Sequence, residues 1–398
     1  MGRCYNGSTQ PMLIGLVDCN NFYVSCERLF QPALKKCPIV VIARPNGCIV
    51  ACSNSVKKIG IKVGMPYPQV KAQLDNIEAV AIVGNLKQYQ EISNRVMKSL
   101  QMLTTEINVY SIDEAFFKIT DRLSAQNECD IIATTIEKWT GIPVSIGASY
   151  SMTLAKMATK KAKLNKKSVI ACSIDEILEL THQTPVSEIW GIGKQKSKRL
   201  SEIGIKSAND YIKLEDNYLR NMFGVDSLRT KHEILGIESI QLTKNKEKKS
   251  ISSSRVFDRP TNSIEIVRAE IAKHITKICT KSIKQNTKIT AIAVKLYHEK
   301  GKSSFTVANI PNNEISLWLN TIDIKLKNQI KYQRLYFRCK IFTIELAQSS
   351  QKQIPIKQKK TTEIINMVKQ SFGSKALFIA TEQLYNKQNL MIELPTVN

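Results

Sequence analysis

The sequence predicts a multidomain α+β protein, and three observations carry that reading. At 398 residues the chain is too long for one ordinary core, so three or four domains are expected. Apolar runs of strand character are interleaved with segments of helical period. A second, self-contained βαββαβ pattern follows a charged linker near the middle of the sequence.

In order, Met12-Leu13-Ile14-Gly15-Leu16-Val17 is an apolar run that reads as a buried strand ending at Asp18. Asn20 to Glu27 begins a helix that Gln31-Pro32 breaks, and Ile39 to Ala43 is a second short strand. Arg44-Pro45-Asn46-Gly47 is turn chemistry before a strand over Cys48 to Cys52. Ser53 or Asn54 caps a short helix ending at Gly60, and Met65-Pro66 precedes another. Residues 86–103 form an amphipathic helix with Tyr89, Ile92, Val96 and Leu100 on one face. The alternating run Ile107 to Ile112 is a strand that delivers Asp113 and Glu114, and Phe116 to Ile119 returns from it. Asp130 to Thr140 is a helix, Val144 to Ala148 a strand, and Met152 to Leu164 a lysine-rich helix. Residues 174–240 read as helical throughout.

Residues 241–249 are polar and charged, as a linker is. Beyond them Ser250–Phe257, Ile264–Ile283, Ile289–Leu296, Ser303–Ala308, Ile315–Leu326 and Leu335–Leu346 supply the βαββαβ module. The tail is Gln- and Lys-rich, then weakly helical.

The net charge of +24 predicts a polyanionic partner, nucleic acid before acidic membrane. Residues 241–350 alone hold 21 Lys and Arg against 8 Asp and Glu, more than half of the excess. No apolar run approaches the roughly 20 residues that span a bilayer. The first eleven residues are polar and carry no signal-peptide core, which predicts a cytoplasmic protein. Ten scattered cysteines, with no Cys-x-x-Cys, read as free thiols in a reducing compartment rather than a zinc site.

Three carboxylates, Asp18, Asp113 and Glu114, at strand ends suit hard divalent cations that keep open positions for phosphate, and Mg²⁺ has those requirements. An acid pair at a turn is also common solvated chemistry, so the pair alone decides nothing. Phe22 and Tyr23 follow Asp18 within a turn; either floors a nucleotide sugar or fills the core of the first helix. Lys57, Lys156, Lys160, Lys163 and Lys166 are candidate triphosphate contacts, and Lys156, Lys160 and Lys163 share a helix face. Gly191-Ile192-Gly193 between helices, followed by Lys194, Lys196, Lys198 and Arg199, is a candidate helix-hairpin-helix that grips DNA phosphates without reading sequence.

At these residues the chain resembles the Y-family translesion DNA polymerases, in particular the UmuC-type branch of bacterial DNA polymerase V catalytic subunits. The motifs are Asp18–Tyr23 with Ser25-Cys26-Glu27, Gly47–Ala51, Ile61–Pro66, Tyr89 with Ser93–Met97, Ser111–Ala115, Ile146-Gly147 with Thr153–Lys156, and Trp190–Gly193. The resemblance implies a right-hand polymerase with a palm (12–29 and 84–172), small fingers (30–83), a helical thumb (173–240) and a little finger (250–348). Residues 1–11 would be an extension and 349–398 a tail. It implies two Mg²⁺ ions on Asp18, Asp113, Glu114 and the Cys19 carbonyl. Tyr23 is the implied gate against a ribose 2′-hydroxyl, and Phe22, Asn54, Lys57 and Lys163 join it as nucleotide contacts. Gly191, Gly193, Lys194, Lys196 and Arg255 are the implied DNA contacts.

Two positions depart from the family pattern. Asn54 stands where many members have a Tyr, and Met152 where a Lys is common. The implied activity is error-prone, template-directed DNA synthesis past lesions in the SOS response. The implied partners are primer-template DNA, dNTP, a UmuD-like accessory dimer, a recombinase filament and a sliding clamp. Gln353-Ile354-Pro355-Ile356 is a faint clamp-binding peptide. The alternatives are a DNA-binding subunit with a dead palm, or a nucleotide cyclase on the same palm.

Overall fold

The structure, a computed structural model, describes residues 12–104, 106–165, 168–237, 249–329 and 334–348. The expected extension at 1–11, Lys166, most of the linker and the tail with Gln353 lie outside the described residues. The chain forms two compact units, Met1–Lys244 and Asn245–Asn398.

The first unit opens with β1 (Leu13–Cys19), whose seven residues are all buried, which accounts for its unbroken apolar run. α1 (Phe22–Phe30) follows, entered through Asn21 in the left-handed region at φ 46°. A 3₁₀ turn at Pro32–Lys36 occupies the expected break. β2 (Ile39–Ile42), β3 (Ile49–Cys52), α2 (Asn54–Lys58), α3 (Tyr67–Asp75) and β4 (Val80–Val83) build a small sheet of order β3-β2-β4, with β2 and β4 parallel. β4 is not among the expected strands.

α4 (Leu86–Leu103) buries Tyr89, Ile92, Val96 and Leu100 as its period predicts. Each such side chain contributes about 1.5–3 kcal/mol of burial. β5 (Ile107–Val109) is shorter than expected. Residues 110–113 turn instead, because the Glu114 amide donates to Ser111 Oγ and the Tyr110 and Ser111 amides donate to the Glu114 carbonyl. β6 (Glu114–Ile119) returns from that turn. α5 (Ala125–Thr140) begins five residues before the expected Asp130. β7 (Val144–Ser149), α6 (Met152–Asn165) and the unexpected two-residue β8 (Val169–Ile170) complete a five-stranded sheet, β5-β6-β1-β7-β8.

Gly147 sets how closely α6 lies on that sheet. A Cβ there would stand 2.0 Å from the Thr159 amide nitrogen. The stretch expected to be helical throughout is broken into α7 (Ile174–Gln183), a 3₁₀ turn at Val186–Glu188, α8 (Lys194–Glu202), α9 (Ala208–Ile212), α10 (Asp216–Phe223) and α11 (Val225–Ile234). These helices pack a core of their own against α6 around Leu154, Leu180, Ile192, Leu200 and Tyr211.

The second unit is β9 (Ser252–Thr261), α12 (Ile264–Lys284), β10 (Thr287–His298), β11 (Gly301–Asn312), α13 (Ile315–Gln329) and β12 (Tyr336–Gln348). This is the expected βαββαβ order, closed as an antiparallel sheet β11-β10-β12-β9. Alternate strand residues Ile292, Val294, Leu296, Cys339 and Ile341 meet both helices around fully buried Trp318. Both described helices of this unit lie on that side, so among the described residues the opposite face, with half-buried Lys295, Tyr297, Arg338 and Lys340, is left open by them.

Candidate active site

β1 and β6 pair antiparallel, and the register sets Asp18 directly across from Glu114. The Cys19 amide donates to the Asp113 carbonyl at 2.9 Å, which draws the turn against the end of β1. Ser111 Oγ donates to Asp113 Oδ1 at 2.6 Å. Three carboxylates separated by about a hundred residues of chain are thereby gathered at one end of the central strands.

Asp18 is 8% exposed. Burial pushes its carboxyl up to about 6. Lys163 opposes that rise, and the charges of Glu114 and Asp113 add to it. Burial also raises the Cys19 thiol well above the usual range, so only its backbone carbonyl suits a hard cation.

Among the described residues no three His, Cys, Asp or Glu side chains converge as a ready metal cluster. Two of the acids rest on lysines. Lys163 Nζ lies 2.6 Å from Asp18 Oδ2, and Lys156 Nζ lies 2.9 and 3.0 Å from the two Glu114 oxygens. The donor chemistry still fits Mg²⁺. The oxygens are hard, and a dication there would offset both the burial that chiefly raises the Asp18 carboxyl and the smaller contribution of the Glu114 and Asp113 charges.

A cavity of about 370 Å³ opens beside these acids, lined by Asp18, Asp113, Tyr23, Lys57, Lys163 and the β3 backbone region at Val50–Cys52. Phe22, Tyr23, Lys57 and Lys163, four of the residues implied as nucleotide contacts, all line this cavity. Lys57 Nζ lies 2.5 Å from Asn21 Oδ1, and Asn21 Nδ2 donates to Asn54 Oδ1 at 3.0 Å. Asn54 is exposed and reaches the cavity only through this bridge. Phe22 is 4% exposed; it packs into the sheet core and also lines the cavity.

Tyr23 stacks on Tyr89 with centroids 4.5 Å apart, and the Tyr89 hydroxyl donates to buried Glu27. Burial, then Asp113 and Cys26, raise the Tyr23 phenol, which keeps it neutral.

The lysine face of α6 differs from expectation. Lys156 pairs with Glu114 and Lys160 with Glu188, as Lys163 does with Asp18; of the three only Lys163 lines the cavity. Sequence period places three lysines on one face but cannot show the acids that three other segments bring to meet them. Sequence reasoning also missed Glu233, fully buried on α11. It accepts from the Thr153 amide at 3.2 Å and so fixes the start of α6.

The turn before α8 has Gly191 at φ +91°, a left-handed conformation that suits glycine, with Thr230 Oγ1 just 3.1 Å from where a Cβ would stand. Gly193 is the N-cap of α8, and Lys194 is exposed beside it. Lys196 is half-buried and donates to Ser227 Oγ at 2.9 Å.

In the second unit, strand register decides which basic residues share a face. Arg255 pairs with fully buried Cys339 and reaches Glu270 of α12 at 3.9 Å. It therefore lies on the helix side of the sheet. The open face instead carries Lys295 and Tyr297 of β10, Lys302 of β11, and Arg338, Lys340 and Phe342 of β12. Arg338 stands over the Tyr297 ring at 5.2 Å, and Lys295 over Phe342 at 5.0 Å.

A family model described as the impB/mucB/samB family matches residues 17–160, and its C-terminal domain matches residues 248–375. The chain belongs to the impB/mucB/samB family. It is 32% identical to Protein UmuC of Salmonella typhimurium over 277 residues, 68% of this chain and 66% of the relative. It is 27% identical to DNA polymerase IV of Saccharolobus solfataricus over 274 residues, 66% of this chain and 76% of that protein. The chain thus spans about two thirds of the length of its UmuC relative.

Among solved structures, a Y-family DNA polymerase chimera superposes with a TM-score of 0.70 at 22% identity, over 83% of this chain and 98% of that one. An insertion ternary complex of Dbh DNA polymerase gives a TM-score of 0.56 at 21% identity, over 85% of this chain and 100% of that one. The fold is that of the Y-family polymerases, mixed α+β with a C-terminal little-finger-like domain. No described helix is long and apolar enough to cross a membrane.

Proposed function

We propose that this protein is a template-directed DNA polymerase of the error-prone translesion type, adding deoxynucleotides to a primer 3′-hydroxyl. The observation that carries the reading is the cross-strand Asp18–Glu114 pair with Asp113 hydrogen-bonded alongside, opening on a cavity that also presents Tyr23, Lys57 and Lys163. A cyclase on the same sheet leaves the Gly191 turn and the open basic face without a purpose. A dead DNA-binding subunit has no need of three intact carboxylates.

Asp18, Asp113, Glu114 and the Cys19 carbonyl would hold two Mg²⁺ ions. Bound there, such ions lower the pKa of the primer hydroxyl and offset charge on the triphosphate and the leaving pyrophosphate. The chain's own groups do the rest. Lys163 and Lys57 exchange their present partners for triphosphate oxygens, as point charges suited to phosphate. Tyr23, braced by Tyr89 and Glu27, fills the space a 2′-hydroxyl would need. The α8 turn and the open face of the second unit grip duplex phosphates without reading bases.

On this reading the palm is residues 12–29 and 84–172, the fingers 30–83, the thumb 173–240 and the little finger 250–348. Kinship with UmuC extends the reading to a UmuD-like accessory dimer, a recombinase filament and a sliding clamp. The reading includes a cytoplasmic protein acting in the response to DNA damage, and it is supported by the free thiols of every described cysteine. Primer extension with Mg²⁺ across an abasic site tests the activity. Template-dependent extension is expected, and template-independent cyclic nucleotide formation would overturn it.

A further inference from the structure

Lys156 has an environment unlike that of any other described lysine in the first unit. Its ammonium lies 4.4 Å from the centroid of Tyr110, 5.4 Å from Trp190 and 5.8 Å from Phe116. Tyr110 and Trp190 meet edge to face, and Trp190 Nε1 donates to the Tyr110 hydroxyl at 3.2 Å. The fourth side of this box is the Glu114 carboxylate, gripped through both oxygens.

Both side chains of the pair are largely shielded, at 16% and 20% exposure. A cation held over aromatic faces and away from water interacts more strongly than one at the surface. The rings come from separate segments. Tyr110 and Phe116 flank the turn that carries Asp113 and Glu114, and Trp190 immediately precedes the Gly191–Gly193 turn.

We propose that Lys156 is a positioning residue for Glu114: fixed by the Tyr110–Phe116–Trp190 box, it sets where the third carboxylate stands and competes with divalent cations for it. The proposal rests on the polymerase reading of the acids. It differs from the simplest expectation for a lysine on this helix, a triphosphate contact. A triphosphate ligand acts on nucleotide binding, whereas a residue that orients a metal ligand acts on metal affinity and turnover.

The test uses the full chain, Lys156→Met and Lys156→Arg, and two readouts. The first is Mn²⁺ binding to the protein in the absence of nucleotide, followed by the electron paramagnetic resonance of free Mn²⁺. The second is the split of kcat and KM for dNTP in primer extension. Lys156→Met should bind Mn²⁺ at least fivefold more tightly, because Glu114 is released and a nearby positive charge is gone. Its kcat should fall at least tenfold, with KM for dNTP within threefold of wild type. Lys156→Arg should return the Mn²⁺ affinity and most of kcat.

Tyr110→Leu, which leaves both charged residues in place, should move both readouts in the same direction by a smaller factor. It serves if Lys156→Met does not fold. Unchanged Mn²⁺ affinity, or a tenfold rise in KM with kcat retained, would overturn the proposal. Failure of the wild-type protein to extend any primer would instead sink the polymerase reading, while the Mn²⁺ isotherms would still judge the role of Lys156.

Discussion

Replacing Asp18 with Asn should stabilise the metal-free protein while destroying its activity. Asp18 is 8% exposed, and its carboxyl is raised from 3.8 to about 6 in the folded state, chiefly by burial. A folded pKa above the unfolded one means that the folded protein holds the extra proton between those values. The stability this contributes is fully present below about pH 3.8 and is lost as the pH rises through about 6. A shift of about two units corresponds to about 3 kcal/mol at neutral pH.

Asparagine has the same shape without the charge, so Asp18→Asn should recover about 3 kcal/mol at pH 7.5 and about half of that at pH 5. The gain should vanish near pH 3.8. Lys163, left without its partner, is 38% exposed and returns to water at little cost. The assay is denaturant unfolding in EDTA at the three pH values, following the transition of the first unit. Mg²⁺ should then narrow the gap between wild type and variant, since it binds the carboxylate only in the former. A variant no more stable than wild type at pH 7.5, or a gain that does not shrink on acidification, would refute the reasoning.

Tyr23→Ala should lower discrimination against ribonucleotides at least about tenfold in single-nucleotide insertion, since a braced ring is replaced by space. An unchanged sugar preference in an active variant would remove Tyr23 as the gate. Gly147→Ala should cost about 3 kcal/mol or more in chemical denaturation, because its Cβ would stand 2.0 Å from the Thr159 amide nitrogen and force α6 away from β7. Arg338→Ala and Lys340→Ala should each weaken duplex binding and reduce the slope of log affinity against log salt by about one. Arg255→Ala, on the opposite face, should leave that slope unchanged.

The parts that were legible from sequence are those whose pattern is local. β1 is buried along its whole length, and its apolar run shows it; α4 buries Tyr89, Ile92, Val96 and Leu100 because they repeat at helical spacing. The βαββαβ order of the second unit survives for the same reason. Non-local pairing was not legible. β4 and β8 are short strands whose partners lie far along the chain, and parallel pairing leaves no hairpin signal.

Side-chain destinations were hidden similarly. The spacing of Lys156, Lys160 and Lys163 sets a common face, but Glu114, Glu188 and Asp18 arrive from elsewhere to neutralise it. Arg255 looks like any basic strand residue until its pairing with buried Cys339 fixes which way it faces.

The most direct measurement is primer extension with Mg²⁺ by the wild-type protein and by Asp113→Ala combined with Glu114→Ala, at matched DNA occupancy. Template-directed extension by the wild type, and loss of at least about a thousandfold in kcat by the double variant with DNA binding retained, is the predicted result. Extension by the double variant at a wild-type rate would contradict the assignment of these carboxylates to the chemistry.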